Sequence, residues 1–263
     1  MDVIIKKYPR TRHLVGSRLQ PGDEDLEQVP WSALAGRHIV VEEKVDGANS
    51  GISFADDGAL LLQSRGHFLT GGPREQQFSL FKQWAAVHTD VLREALGTRF
   101  VLYGEWLFAK HTVFYDALPH YFVEYDVLDK QSGHWLSTSR RRELLASTPV
   151  ESVPVLYEGV HSKPIDVLKQ VARSSYVSVD VEPGLRQSCD EIRYDVARAR
   201  AESDVSGIME GLYIKIEEED CVQERLKWVR PEFLQAMLSS GSHWQDRPIL
   251  PNRLRDGVDI WSG

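Results

Sequence analysis

The stretch Val41-Glu42-Glu43-Lys44-Val45-Asp46-Gly47-Ala48-Asn49-Ser50-Gly51 follows directly on His38-Ile39-Val40, so a dense set of charges begins where a β-branched run ends. Such a run reads as a strand buried on at least one face, and Asp46-Gly47 reads as the turn that stops it. Unpaired charge at the end of a buried strand is expensive, so a shared polar cleft is the natural destination for these side chains. Lys44 is then either a solvated surface lysine or a nucleophile. The three fixed positions of Lys44-x-Asp46-Gly47 are too few to decide.

Other charges share the setting. Glu105 lies between Val101-Leu102-Tyr103-Gly104 and Trp106-Leu107-Phe108, Glu210 precedes Gly211-Leu212-Tyr213-Ile214 with Lys215 next, and Lys227 lies between Leu226 and Trp228-Val229. Residues two apart in a strand face the same side, so Lys215 shares a face with Tyr213, and Arg225 with Lys227. Two cations on one strand face suit a polyphosphate, and two glutamates suit a divalent metal bound largely through water. A lysine beside such cations has its ammonium destabilised toward the neutral amine that nucleophilic attack needs, although Glu43 and Asp46 push the other way.

Working outward, the acidic, turn-rich stretch 17–30 reads as a loop, and Asp56-Asp57-Gly58 as a hairpin turn between two strands. Residues 74–96 carry Phe78, Phe81, Trp84, Ala85, Val91, Leu92 and Leu96 at helical spacing, stopped by Gly97. Apolar strands are expected at 99–108 and 120–129, helices at 139–146, 164–174 and 185–203, and strands again at 211–219 and 221–229 around the turn Glu218-Glu219-Asp220. Strands dominate with helices inserted between them, which predicts an α+β domain of antiparallel β-sheets flanked by helices. The remainder, 231–263, is expected to form a short helix and a tail.

With 42% hydrophobic and 10% aromatic residues in 263, the chain has ample material for a packed core. No apolar run approaches the ~20 residues of a membrane span, and the opening MDVIIKKYPRTRH lacks the apolar region of a signal peptide. Two cysteines, Cys189 and Cys221, without metal-ligand spacing indicate neither a disulfide framework nor a structural zinc site, and a cytoplasmic protein is expected. The formal net charge of -8 argues against an overall basic coat for nucleic acid. Local basic groups remain at Lys6, Lys7, Arg10, Arg12 and His13, at Arg140-Arg141-Arg142, and at Arg225, Lys227 and Arg230.

In order along the chain, Lys44-Val45-Asp46-Gly47, Ser64-Arg65-Gly66, Gly104-Glu105-Trp106, Tyr121-Phe122-Val123-Glu124-Tyr125-Asp126, Glu210-Gly211-Leu212-Tyr213-Ile214-Lys215 and Arg225-Leu226-Lys227 resemble the six motifs of the covalent nucleotidyltransferases, the polynucleotide ligases and mRNA capping enzymes. Within that superfamily the chain is most similar to the ATP-dependent RNA ligases, through Gly47-Ala48-Asn49 and the opening Lys7-Tyr8-Pro9. The resemblance implies a nucleotidyltransferase (adenylation) domain over residues 1–240, an ATP-grasp-like ligase fold, and a short C-terminal tail over 241–263. It implies RNA repair chemistry through lysine adenylylation: Lys44 attacks the α-phosphate of ATP, AMP passes to the 5′-phosphate end of RNA, and a 3′-hydroxyl displaces it. By the same resemblance Glu43 contacts adenine, Asp46 belongs to the nucleotide site, and Asn49 and Arg65 hold ribose or phosphate. Phe122 stacks on adenine, with Tyr121 and Tyr125 as competitors for that role. Glu105 binds the ribose hydroxyls and, with Glu210, the metal, Mg²⁺ or Mn²⁺, while Lys215, Arg225 and Lys227 hold phosphates. Arg225 stands where the family usually has lysine. About 36 residues follow Lys227, without the OB or helical domain such enzymes generally carry, which leaves room for a helper protein. DNA nicks as substrate, end adenylylation without sealing, and a non-catalytic end-binding subunit are the rival readings.

Overall fold

The structure is a computed structural model that describes residues 4–19, 22–23, 25–233 and 247–262, with the backbone alone at 73–74. Short β-branched and aromatic runs cut by Gly and Asp turns give eleven strands: β1 (Arg12–His13), β2 (His38–Lys44), β3 (Ala48–Phe54), β4 (Leu60–Ser64), β5 (Phe100–Trp106), β6 (Phe122–Asp129), β7 (Trp135–Leu136), β8 (Glu151–Ser152), β9 (Val155–Val160), β10 (Gly211–Glu218) and β11 (Cys221–Val229). They join in the order β4-β3-β5-β6-β7-β11-β10-β2-β9, with β1 beside β11 and β8 beside β6. Those two side pairings are parallel and the rest antiparallel, so the α+β expectation holds. The two-residue β7 touches β6 through Leu128↔Trp135 and β11 through Val222↔Trp135 and Cys221↔Leu136. It therefore acts as a splint between two halves, β4-β3-β5-β6 and β11-β10-β2-β9.

Each half buries one apolar face. In the first, Ile52, Leu102, Trp106, Phe122 and Val127 pack with Phe81 and Trp84 of α1 (Ser79–Val87), Leu92 of α2 (Thr89–Leu96) and Leu145 of α3 (Thr138–Leu145). In the second, Ile39, Val41, Leu212, Ile214 and Leu226 pack with Leu14, Trp31, Leu34 and Val167. Each such side chain contributes about 1.5–3 kcal/mol of burial. The opposite faces of the two halves, which carry the charges, turn toward each other and make the cleft.

Several elements differ from the sequence reading. The helix expected over 74–96 is a 3-10 turn (Pro73–Phe78), then α1 and α2, broken at His88. There the Thr89 hydroxyl bonds back to the carbonyls of Ala85 and Ala86, both at 2.9 Å, in competition with the backbone ladder. The helix expected over 185–203 is α4 (Glu182–Ile192) and α5 (Val196–Ala201), separated by Arg193 in the left-handed region at φ 55°. Asp195 caps α5 by accepting from Arg198 N at 2.7 Å. Residues 164–170 form a 3-10 turn, and β9, the edge strand after Pro154, was not anticipated.

Of the short helix expected after β11, residues 231–233 are helical; 234–246, which include the expected boundary at 240, lie outside the described residues. The segment 247–262 packs against the loop 107–118 instead of standing free. Asn252 accepts from Tyr115 N at 2.9 Å and donates to the Leu107 carbonyl at 2.7 Å, and Ile260 joins the first core. Among the described residues no helix is long and apolar enough to cross a membrane.

Candidate active site

Register fixes which side chains meet. Across β2, β10 and β11 the rows are Lys44–Gly211–Val229, Glu42–Tyr213–Lys227 and Val40–Lys215–Arg225, all on the cleft face. Glu43 pairs with Leu212 and belongs to the opposite face. Gly211 is required by the close pass of β11: a Cβ there would lie 1.9 Å from the Trp228 carbonyl oxygen. Gly47 is required likewise, because a Cβ would meet the Trp106 carbonyl and a Leu107 methyl at 2.7 Å. The Lys-x-Asp-Gly signature is thus partly a statement about how closely the turn from β2 to β3 crosses β5.

Lys44 stands at the end of β2 with its side chain 21% exposed, and its Nζ donates to Glu210 Oε2 at 2.6 Å. Burial pulls its ammonium down, but the Glu210, Glu105 and Asp46 carboxylates outweigh burial and hold it above the ordinary lysine value. Lys44 is therefore a bound ammonium in the free protein, where the sequence reading stressed the opposite pull of neighbouring cations. Glu105 is pushed up to about 7, by burial first and by Glu210 and Asp46 against the relief given by Lys44 and Arg65. Glu210 is raised too, chiefly by burial. Glu105 and Glu210 around the single ammonium of Lys44 form an acidic pocket that a divalent cation would relieve. No group of three or more His, Cys, Asp or Glu among the described residues is arranged to hold a metal, so a bound ion would lean on Glu105, Glu210, water and ligand oxygens.

On the other wall Asn49 lies opposite Glu105 in the β3–β5 register and donates through Nδ2 to the Tyr125 hydroxyl. Its Oδ1 is buried without a hydrogen-bond partner, which in a native site points to a ligand donor. Tyr125 reaches this wall because β6 bulges: Tyr103 pairs with Asp126 and Gly104 with Glu124, leaving Tyr125 as the extra residue. Arg65, exposed at the end of β4, helps to lower Glu105. Asp46 is occupied differently from expectation. Its Oδ2 accepts from Thr112 N at 2.7 Å and Val113 N at 2.9 Å, and its own N–H donates to the Tyr115 hydroxyl, so it moors the 107–118 loop beside Lys44.

Lys227 is buried and donates to Asp23 Oδ2 at 2.6 Å. Burial, then the charge of Lys44, lowers its ammonium, which places the two lysines in one electrostatic neighbourhood. His13, opposite Lys227 in the parallel β1–β11 pair, joins the same Asp23 at 3.1 Å.

Four expected ligands are buried or engaged by partners within the protein, Lys215 and Arg225 on the cleft face itself. Phe122 is wholly buried in the first core, 5.2 Å from the Phe81 ring and 5.8 Å from Trp84, so the stacking role assigned to it is corrected: the aromatic that the bulge turns toward the cleft is Tyr125. Glu43 is 2% exposed on the far face, with its oxygens accepting from Ser174 Oγ and Ser175 N. Lys215 is fully buried and tied to Glu42 at 2.9 Å and Asp126 at 3.1 Å. Arg225 stacks 3.7 Å over Trp135 and lies 3.6 Å from Asp126. Sequence reasoning missed the network these belong to, in which Arg141 of α3 pairs with both Glu42 and Glu124 at zero exposure. Arg141 looked like one of three surface arginines, and only the helix's burial pattern distinguishes it.

The RNA ligase family model matches residues 37–229, which holds every strand but β1 together with Lys44, Glu105, Glu210 and Lys227, and the chain belongs to that family. No curated protein matches the chain. Among solved structures it is similar to variants of the Naegleria gruberi RNA ligase. One solved with ATP and Mn has 16% identity and a TM-score of 0.51 over 80% of this chain and 54% of that one. One solved with AMP and Mn has 13% identity and a TM-score of 0.52 over 88% and 57%, and an apo variant has 16% and 0.51 over 85% and 60%. This likeness concerns the fold, and the chain spans between 54% and 60% of the length of those proteins.

Proposed function

We propose that this chain is an ATP-dependent RNA ligase that works through adenylylation of Lys44. The observation that carries the reading is the setting of Lys44, partly exposed between Glu210 and Glu105 in a cleft whose opposite wall holds the unpartnered Asn49 oxygen. Adenine would lie against Tyr125, ribose hydroxyls near Glu105 and Asn49, and the phosphates toward Lys227. Glu105 and Glu210 are an all-oxygen pair short of counter-charge, which fits Mg²⁺ or Mn²⁺. When bound, such an ion neutralises the carboxylates that hold Lys44 as an ammonium.

Lys44 gives up a proton, for which Glu210 is the hydrogen-bonded acceptor, and its amine attacks the α-phosphorus of ATP. The P–N bond forms as the bond to the β-phosphate oxygen breaks, and pyrophosphate leaves. A 5′-phosphate oxygen of the RNA then attacks the same phosphorus, the P–N bond breaks and the proton returns to Lys44. Finally the 3′-hydroxyl oxygen attacks the 5′-phosphorus of the capped end: the phosphodiester bond forms as the phosphoanhydride bond to AMP breaks, AMP leaves and the hydroxyl proton passes to water. Positioning and charge neutralisation supply the rate, as expected for phosphoryl transfer.

The test is sealing of 5′-³²P-labelled RNA ends by the wild type with ATP and Mg²⁺, beside Lys44→Ala. Joined product from the wild type alone supports the reading. Capped but unjoined ends from the wild type would favour end adenylylation, joining confined to nicked DNA would shift the substrate, and no product with any end would leave a binding subunit as the better account.

A further inference from the structure

The basic seat beside Lys44 is taken by a carboxylate of the same chain. Asp23 Oδ2 accepts from Lys227 Nζ at 2.6 Å and from His13 Nε2 at 3.1 Å, and Oδ1 accepts from Arg10 Nη2 at 3.2 Å. The donors come from β11 and from the segment 10–13 that contains β1, so two separate parts of the fold converge on one small anion, with Arg10 at the exposed rim and also bonded to Asp25 at 2.6 and 2.9 Å. His13 is fully buried, Lys227 is 9% exposed, and the Asp23 side chain is 13% exposed. Burial pushes the Asp23 carboxyl up, yet its bonds to Lys227, His13 and Arg10 prevail and hold it at about 2. A cradle of ammonium, imidazole and guanidinium is, by the same chemistry, a seat for phosphate oxygens. It adjoins the nucleophile: the row that holds Lys227, with Tyr213 and Glu42, is next on the cleft face to the row that holds Lys44, with Gly211 and Val229.

We propose that Asp23 is a built-in counter-anion, holding the seat on Lys227, His13 and Arg10 that the distal phosphates of a nucleoside triphosphate take when they displace it. This rests on reading the cleft as a nucleotide site, and adds that affinity is set by exchange of one anion for another. Only the fraction of molecules in which Asp23 has left the seat is competent, so apparent affinity for distal phosphates is reduced by that fraction. AMP, which lacks those phosphates, is indifferent to Asp23.

The test is titration calorimetry of the full chain with inorganic pyrophosphate, with AMP and with a 5′-phosphorylated oligoribonucleotide, for wild type, Asp23→Asn and Lys227→Ala, each checked for unchanged thermal unfolding. Asp23→Asn is expected to bind pyrophosphate about tenfold more tightly by removing the competitor, with AMP unchanged. Lys227→Ala is expected to abolish detectable pyrophosphate binding. If Asp23→Asn binds pyrophosphate equally or more weakly while AMP binding persists, Asp23 positions Lys227 and the proposal falls, leaving the nucleotide site intact. A gain confined to the oligoribonucleotide would overturn the assignment of the seat to the nucleotide. If the wild type and both variants bind neither AMP nor pyrophosphate, the proposal and the nucleotide reading fall together.

Discussion

Lys44 and Lys215 lie on the same sheet face, on neighbouring strands, each bonded to a carboxylate, yet the fold uses them in opposite ways. Lys215 is fully enclosed, paired with Glu42 and Asp126, and donates as well to the Tyr125 carbonyl. Lys44 keeps 21% of its side chain open and meets Glu210 with Glu105 beside it, an excess of negative charge. The first is a cross-brace between the two half-sheets and the second a group with somewhere to go. Residue type and sheet face are alike in both; solvent access and charge balance separate them.

The sharpest way to break this contrast is to remove each lysine. Lys215→Met removes the cation shared by two buried carboxylates, leaving Glu42 to Arg141 and Asp126 to Arg225, and breaking a buried pair of this kind costs about 3–5 kcal/mol, enough to lower the thermal midpoint steeply or prevent folding. Lys44→Met should cost no more than about 1–2 kcal/mol, since Glu210 and Glu105 can take up protons, while nucleotidyl transfer is lost. Equal destabilisation in calorimetry would erase the distinction.

The two aromatics of β6 sharpen it next. Phe122→Ala opens a cavity among Phe81, Trp84 and Trp106 and should cost about 3–5 kcal/mol in denaturant unfolding. Tyr125→Leu should act mainly on the KM for ATP, and an unchanged KM would return the stacking role to another ring.

Glu105 gives a pH-dependent effect of middle size. Its carboxyl in the folded protein is raised to about 7 from an ordinary 4.5, so the folded state favours the protonated form. That contribution is complete below about pH 4.5 and is lost as pH rises through 7. Glu105→Gln should therefore be more stable than wild type at pH 8 by about 2 kcal/mol, reduced from the full linkage value by partial exposure, with the gap closing by pH 4.5. A thermal midpoint difference that stays constant with pH would show that Glu105 titrates normally. The smallest effect is expected from Asn49→Ala, which removes one hydrogen bond to Tyr125 together with one orphan acceptor and should move stability by no more than about 1 kcal/mol, while still weakening ATP binding.

Much of this architecture was legible from strand runs and turns: β2, β3, β5, β6, β10 and β11 all lie where period and turn residues put them. The cleft face followed from alternation, which brings Lys44, Lys227 and Arg225 to one side. What escaped were features set by single local events. The bulge at Tyr125 changes which aromatic faces the cleft, and alternation alone made Phe122 as good a candidate. The break at Arg193 needs a left-handed residue that is not glycine, for which the sequence carries no sign. Asp23 and Arg141 find their partners across long loops, so neither their pairing nor their burial could be read from neighbours in the chain. The acidic stretch around Asp23 read only as a loop because its counter-charges lie in β11, in β1 and just before β1.

The central claim is that the fold leaves Lys44 able to act and locks the other lysines of the cleft in place. The measurement that tests it most directly is incubation of the wild type with α-³²P-ATP and Mg²⁺, followed by proteolysis and mapping of the acid-labile label. The account expects the label on the peptide that contains Lys44 alone, and none after Lys44→Ala. Label on the peptide of Lys215 or Lys227, or none under conditions where ATP binds, would contradict it.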